Sequence, residues 1–224
     1  THRMKILFYS LLLVSSLSLK AQIIDIYNDN SNTSGYVAGA YYKDLTNVHD
    51  QYIGTWLYTN GNTSLKLVFQ EREHVKSLPN KDGAFFYEDW LIGEGQYIEN
   101  GTLKWNSLPN LSASQSTDYV TVRDHVSFYN IYYTRERVFC PECAPGERRL
   151  KMAWLALDSN FNSVNSMGYT VLLRRFFENG VEKLKVSFYA APEDGIGSID
   201  EDNPPVFTPP VIPLGSYVLT KIIN

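Results

Sequence analysis

The sequence predicts an all-β fold, an antiparallel up-and-down meander closing into a barrel of about 8–10 strands. Three observations carry that expectation. Sixteen Tyr, eleven Phe and four Trp enrich the chain in residues suited to pleated, half-buried surfaces. Helix-period apolar stripes are nearly absent, whereas Leu184, Val186 and Phe188 alternate with Lys183, Lys185 and Ser187. Three Asn-Gly pairs, Asn60-Gly61, Asn100-Gly101 and Asn179-Gly180, each stand between two strand-like runs, the strongest short-range hairpin signal.

The N-terminal stretch reads as an export signal. Met4-Lys5, the apolar run Ile6 to Leu19 and then Lys20-Ala21 predict a signal peptide with cleavage after Ala21, with Thr1-His2-Arg3 set aside as upstream residues. The expected mature chain, 22–224, is a single domain, secreted or periplasmic, and monomeric. Losing Arg3, Lys5 and Lys20 takes the formal net charge from −4 to −7, which argues against a nucleic acid or an anionic membrane as partner. The apolar run is too short for a comfortable transmembrane helix.

In order, Gln22 to Tyr27 predicts a short edge strand and Asn28 to Gly35 a polar loop. Gly39 to Gln51 predicts a helical turn or two that plugs one end of the sheet. Tyr52 to Gln70 is the founding hairpin. Its first strand places Gly54 and Trp56 on one face, a small residue beside a large aromatic, and so predicts an indole seated at the barrel base. Charged residues follow from Glu71 to Lys76, and Ser77 to Gly83 breaks the strand. Strands are then expected over 84–92, 94–99 and 102–107, with a loop over 108–116. Further strands are expected over 119–123, 126–138, 148–157, 168–177, 181–189 and 216–223. The acidic, proline-rich segment 192–213 is expected as a long exposed loop, since proline offers no ladder donor.

Four motifs carry a resemblance. Tyr41-Tyr42-Lys43-Asp44, Ile53-Gly54-Thr55-Trp56, Ile98-Glu99-Asn100-Gly101 and the run from Ile212 to Lys221 look like a family of uncharacterised secreted proteins of Bacteroidetes-type bacteria. A secreted meander opened by Gly54-x-Trp56 also resembles the lipocalin-like barrels of the calycin group. That likeness implies a basic residue on the last strand packed across the tryptophan, with Lys221 as the matching residue for Trp56. Thr117-Asp118-Tyr119 copies a second lipocalin motif in letters only, because about five predicted strands follow it where that group has about two.

Cys140-Pro141-Glu142-Cys143 is the only sulfur pair. It is read as a local disulfide pinning a hairpin tip, with free thiols and a metal or redox site as alternatives. The acids from Glu193 to Asp202 form a solvated loop or, alternatively, oxygen ligands for calcium. Arg135, Arg137, Arg148, Arg149, Arg174 and Arg175 lie on strands, pairing across the outer face or turning inward toward an anionic group. Hydrolase, metalloprotease, phosphate-loop and dinucleotide signatures are absent from the sequence. Glu71, Glu73, Glu88, Asp89 and Glu94 could meet in space as paired carboxylates, although no spacing predicts it.

No catalytic, metal-binding or cofactor-binding residue is assigned. The leading expectation is an extracytoplasmic, non-enzymatic binding protein for a small apolar or amphipathic molecule, its cavity lined by Tyr58, Phe69, Phe85, Met152, Trp154 and Phe188. The alternative is a filled barrel that docks a cell-surface protein or glycan. A carboxylate-dependent hydrolase is a weaker third.

Overall fold

A computed structural model describes residues 22–27, 36–113, 115–134, 140–144, 147, 149–160, 162, 169–190 and 211–222. The predicted signal peptide and most of the predicted loop 192–213 lie outside these residues.

The chain folds as a mostly antiparallel sheet of eleven described strands. They are β1 (Ile23–Asp25), β2 (Tyr41–Lys43), β3 (Gly54–Asn60), β4 (Thr63–Lys76), β5 (Tyr87–Glu99), β6 (Thr102–Asn106), β7 (Phe128–Thr134), β8 (Arg149–Trp154), β9 (Tyr169–Glu178), β10 (Val181–Ala190) and β11 (Gly215–Ile222). Eight of them form a ring in the order β5-β4-β3-β11-β10-β9-β8-β7, closed by pairing β7 back to β5. The ring is uneven. β4 and β5 are long, whereas the closing seam consists of Ile92↔Tyr129 and Gly93↔Phe128 alone.

β5 organises the branching. One edge pairs with β4 along its length; the other meets β2 in parallel at Tyr87–Glu88, β7 at the seam and β6 at Gln96–Glu99. β1 adds to β2, also in parallel, so the N-terminal segment forms a flange that leaves the ring. The predicted helical turn over Gly39 to Gln51 is therefore divided: Tyr41–Lys43 is strand, and a 3-10 turn is confined to His49–Gln51.

All three glycine turns are two-residue loops, but the first is shifted. Asn60 pairs with Thr63, so Gly61 and Asn62 occupy the turn centre, with Gly61 at a φ of 57°. Asn100-Gly101 and Asn179-Gly180 carry positive φ at both central residues, as a type I′ turn requires.

The segment predicted as a strand over 119–123 is a helix. After a four-residue turn α1 (Asn110–Ala113), α2 (Tyr119–Asp124) starts from Asp118, whose carboxylate accepts hydrogen bonds from the backbone N–H groups of Val120 and Thr121. Capping overrides the β-branched composition of Tyr-Val-Thr-Val. Val122 and Val126, four apart, then bury against Val75, Trp90 and Ile92 as a small second core on the outer face of β4 and β5.

The main core fills the ring. Inward residues from all eight ring strands, among them Trp56, Leu65, Leu67, Phe69, Leu91, Phe128, Leu150, Met152, Trp154, Val171, Leu184, Phe188 and Leu219, belong to one apolar cluster. Tyr27, Val48 and Tyr52 join it from the N-terminal segment, and Trp105 from β6. Among the described residues no helix is long and apolar enough to cross a membrane.

Candidate functional site

The residues predicted to line a cavity divide into those inside the ring and one outside it. Phe69, Met152, Trp154 and Phe188 are fully buried at its centre, and Tyr58 lies half-buried toward the rim, its ring edge-on to Tyr217. Phe85 lies apart, on the flange beside Tyr87 with the Lys76 ammonium 4.1 Å from its centroid. The central rings touch one another. Phe128 stacks on Trp154, and Phe188 meets Trp154 edge-on at 5.1 Å. Trp105 reaches both Phe128 and Trp154. Two glycines show how closely this interior is filled. A Cβ on Gly93 would lie 2.4 Å from the Phe69 ring, and one on Gly95 would lie 2.7 to 2.8 Å from Leu67, the Lys66 carbonyl and Trp105. The Trp154 indole Nε1 is buried without a hydrogen-bond partner among the described residues.

The barrel base is polar around an aromatic plug. Trp56 lies directly opposite Lys221 in the β3/β11 register, with the ammonium 5.1 Å from its ring centroid, and its Nε1 donates to the Tyr52 carbonyl at 2.7 Å. Gly54, at a φ of 122°, lets Lys221 Cε pass close over the backbone. Lys221 and Arg175 converge on Glu182, whose carboxylate is held below its usual range by both cations against the opposing effect of burial.

Beside this plug, Asp44, His49 and Glu71 form a tight group. His49 stands in the 3-10 turn with Nδ1 2.8 Å from Glu71 Oε1 and 3.8 Å from Asp44 Oδ2, and Nε2 2.6 Å from the Tyr27 hydroxyl. Asp44 Oδ2 also accepts the backbone N–H of His49. Asp89 lies behind, accepting from the backbone of Asp44 and His74 and from the Tyr41 hydroxyl, whose pKa rises through burial and this hydrogen bond. The β4/β5 register shifts between Arg72 and Val75, with His74 at a φ of 59°. This bulge turns the strand just past Glu71.

The flange carries aromatic rings on both faces. On one, Tyr36 stacks flat on Phe86 at 3.9 Å with Tyr42 edge-on to both, and Trp90 meets Tyr119 at 5.1 Å. Glu88 lies among these rings, its pKa pushed up to about 7 by burial despite a hydrogen bond from Trp90. Tyr36 remains 60% exposed. On the other face His74 stacks on Tyr87 with Tyr41 edge-on.

Cys140 and Cys143 are joined in a disulfide. Cys140, Pro141 and Glu142 border an open cleft of about 240 Å³ over the outer face of β8 to β10, lined also by Arg149, Arg174 and Lys185. Its cations are engaged: Arg174 with Glu147, and Lys185 with Glu142. Arg174 and Arg175 both form ion pairs, on the cleft side and at the barrel base respectively.

The five carboxylates named from sequence are distributed by strand parity. Glu71 and Asp89 reach the base, Glu88 the aromatic ledge, and Glu73 an ion pair with Lys43. Glu94 is buried elsewhere, accepting from Ser127 N–H. The grouping of Asp44 with His49 was not foreseen; the signal available was their five-residue spacing across a predicted turn.

Over residues 4–222 the chain matches the model of a family described as "Family of unknown function (DUF6705)". The chain belongs to that family. No curated protein and no solved structure matches it.

Proposed function

We propose that this protein is an extracytoplasmic, non-enzymatic module of lipocalin-like build, whose filled barrel carries an outer aromatic ledge that binds a glycan. The observation that carries the reading is the filled interior: Gly93 and Gly95 leave no space for even a methyl group against Phe69 and Trp105. The rings that could have lined a cavity are spent on one another, so a binding surface is sought outside.

The ledge of Tyr36, Phe86 and Tyr119 around Glu88 supplies what a sugar requires. A flat exposed ring stacks on the apolar face of a pyranose. A carboxyl group titrating near neutrality both donates to and accepts from hydroxyls. The signal peptide expected from the sequence, the disulfide and the resemblance to secreted Bacteroidetes-type proteins support an extracytoplasmic setting.

Affinity electrophoresis against soluble glucans, xylan and chitin oligomers, followed by calorimetry, tests this. One polysaccharide class is expected to retard the protein, and Tyr36→Ala is expected to weaken that interaction by about tenfold. Mobility unchanged by every glycan, together with a lipophilic adduct retained in native mass spectrometry, would return the cavity reading to first place.

A further inference from the structure

The group at the barrel base has the composition and spacing of a metal site. Asp44, His49 and Glu71 each present a donor atom, and these atoms lie within 4.8 Å of one another. A tetrahedral zinc ion with bonds of 2.0 to 2.2 Å sets its ligand atoms about 3.4 Å apart. The two separations from His49 Nδ1, 2.8 Å to Glu71 and 3.8 Å to Asp44, straddle that value.

Charge balance points the same way. With His49 protonated, two carboxylates still leave the group one negative charge, and buried Asp89 behind it adds another. The neighbouring cation Lys43 is held by Glu73 at 3.0 Å. Asp44 Oδ1 is buried with no hydrogen-bond partner among the described residues, although its side chain is only 2% exposed. A buried carboxylate oxygen without a donor or counter-charge is costly, and a cation removes that cost.

The surroundings suit a ligand histidine. Tyr27 engages His49 Nε2 at 2.6 Å, fixing the ring so that Nδ1 faces the carboxylates, as the outer partners of ligating histidines do. Glu71, a quarter exposed, gives access from solvent.

We propose that Asp44, His49 and Glu71 bind one divalent transition-metal ion of the zinc class at the base of the barrel. His49 binds through Nδ1, each carboxylate through one oxygen, and water completes the shell. The ion takes the place of the direct contact between His49 Nδ1 and Glu71, and because a ligating nitrogen must carry no proton, binding weakens toward acid pH. Tying the turn, β4 and the residue after β2 together, the ion clamps the N-terminal segment onto the ring.

The test is calorimetric titration of the metal-stripped full chain with Zn²⁺ and Co²⁺, with Ca²⁺ and Mg²⁺ as comparators. One equivalent of Zn²⁺ or Co²⁺ is expected, with Co²⁺ giving the intense visible absorption of a tetrahedral site and binding ~100-fold tighter than Ca²⁺, because the imidazole nitrogen favours softer ions. His49→Gln and Glu71→Gln are each expected to weaken binding by roughly 100-fold. Should His49→Gln fail to fold, the more exposed Glu71→Gln decides. Absence of Zn²⁺ binding, equal affinity for Ca²⁺, or binding undiminished by Glu71→Gln would overturn the proposal.

Discussion

The Lys221 ammonium lies 5.1 Å from the centroid of the Trp56 ring, the two residues standing opposite each other across β3 and β11. The pair joins the founding hairpin to the last strand, and Trp56 is fully buried. Trp56→Ala should cost about 3–5 kcal/mol, from lost burial and the cavity left behind. Lys221→Met keeps the stem and should cost only about 0.5–1 kcal/mol, the scale of a cation–π contact. Urea denaturation of both variants checks the order; an unchanged midpoint for Trp56→Ala would remove that residue from the core.

Gly93→Ala and Gly95→Ala test how tightly the ring is filled. Each new methyl meets atoms under 3 Å away, so each should destabilise by about 1–3 kcal/mol as the neighbouring rings leave their rotamers. Variants with wild-type thermal midpoints would reveal slack in the interior.

Glu94 makes stability depend on pH. It is fully buried, and burial raises its pKa from 4.5 to about 8 against the hydrogen bonds from Ser107 and Ser127. The folded state therefore holds the proton more tightly than the unfolded chain. The associated stability is complete below pH 4.5 and is lost as pH rises toward 8. Glu94→Gln should gain on wild type across that window by on the order of 3–5 kcal/mol. Parallel unfolding curves for the two proteins from pH 5 to 9 would contradict this assignment.

Reducing the disulfide should have a small effect. Cys140 and Cys143 are three residues apart, and so short a loop restricts the unfolded chain by only about 2 kcal/mol. Thermal melts with and without reductant should differ by a few degrees, with the far-ultraviolet β signal retained. Loss of folding on reduction would mean that the tip contributes far more than its loop entropy.

Alternation along β10, the Asn-Gly pairs and the abundance of aromatics made the meander legible, because side-chain period and turn chemistry act over a few residues. Even so, the first turn moved to Gly61-Asn62, since pairing of Asn60 with Thr63 sets its centre. Tyr119 to Asp124 became helix because the Asp118 cap and the burial of Val122 and Val126 outweighed local β preference. Phe85 matched its inward neighbours in composition, yet it falls on the flange, beyond the ring.

The sequence alone determined the all-β class, the hairpin order and the disulfide-forming pair, all consequences of short-range patterning. Only the tertiary structure decided that β5 would branch to β2, β7 and β6, that the barrel rings would fill one another's space, and that Asp44, His49 and Glu71 would meet. Those outcomes depend on register between distant strands. The bulge past Glu71 and the tight approach at Gly93 belong to that register, and neither is written in the spacing of the residues they bring together.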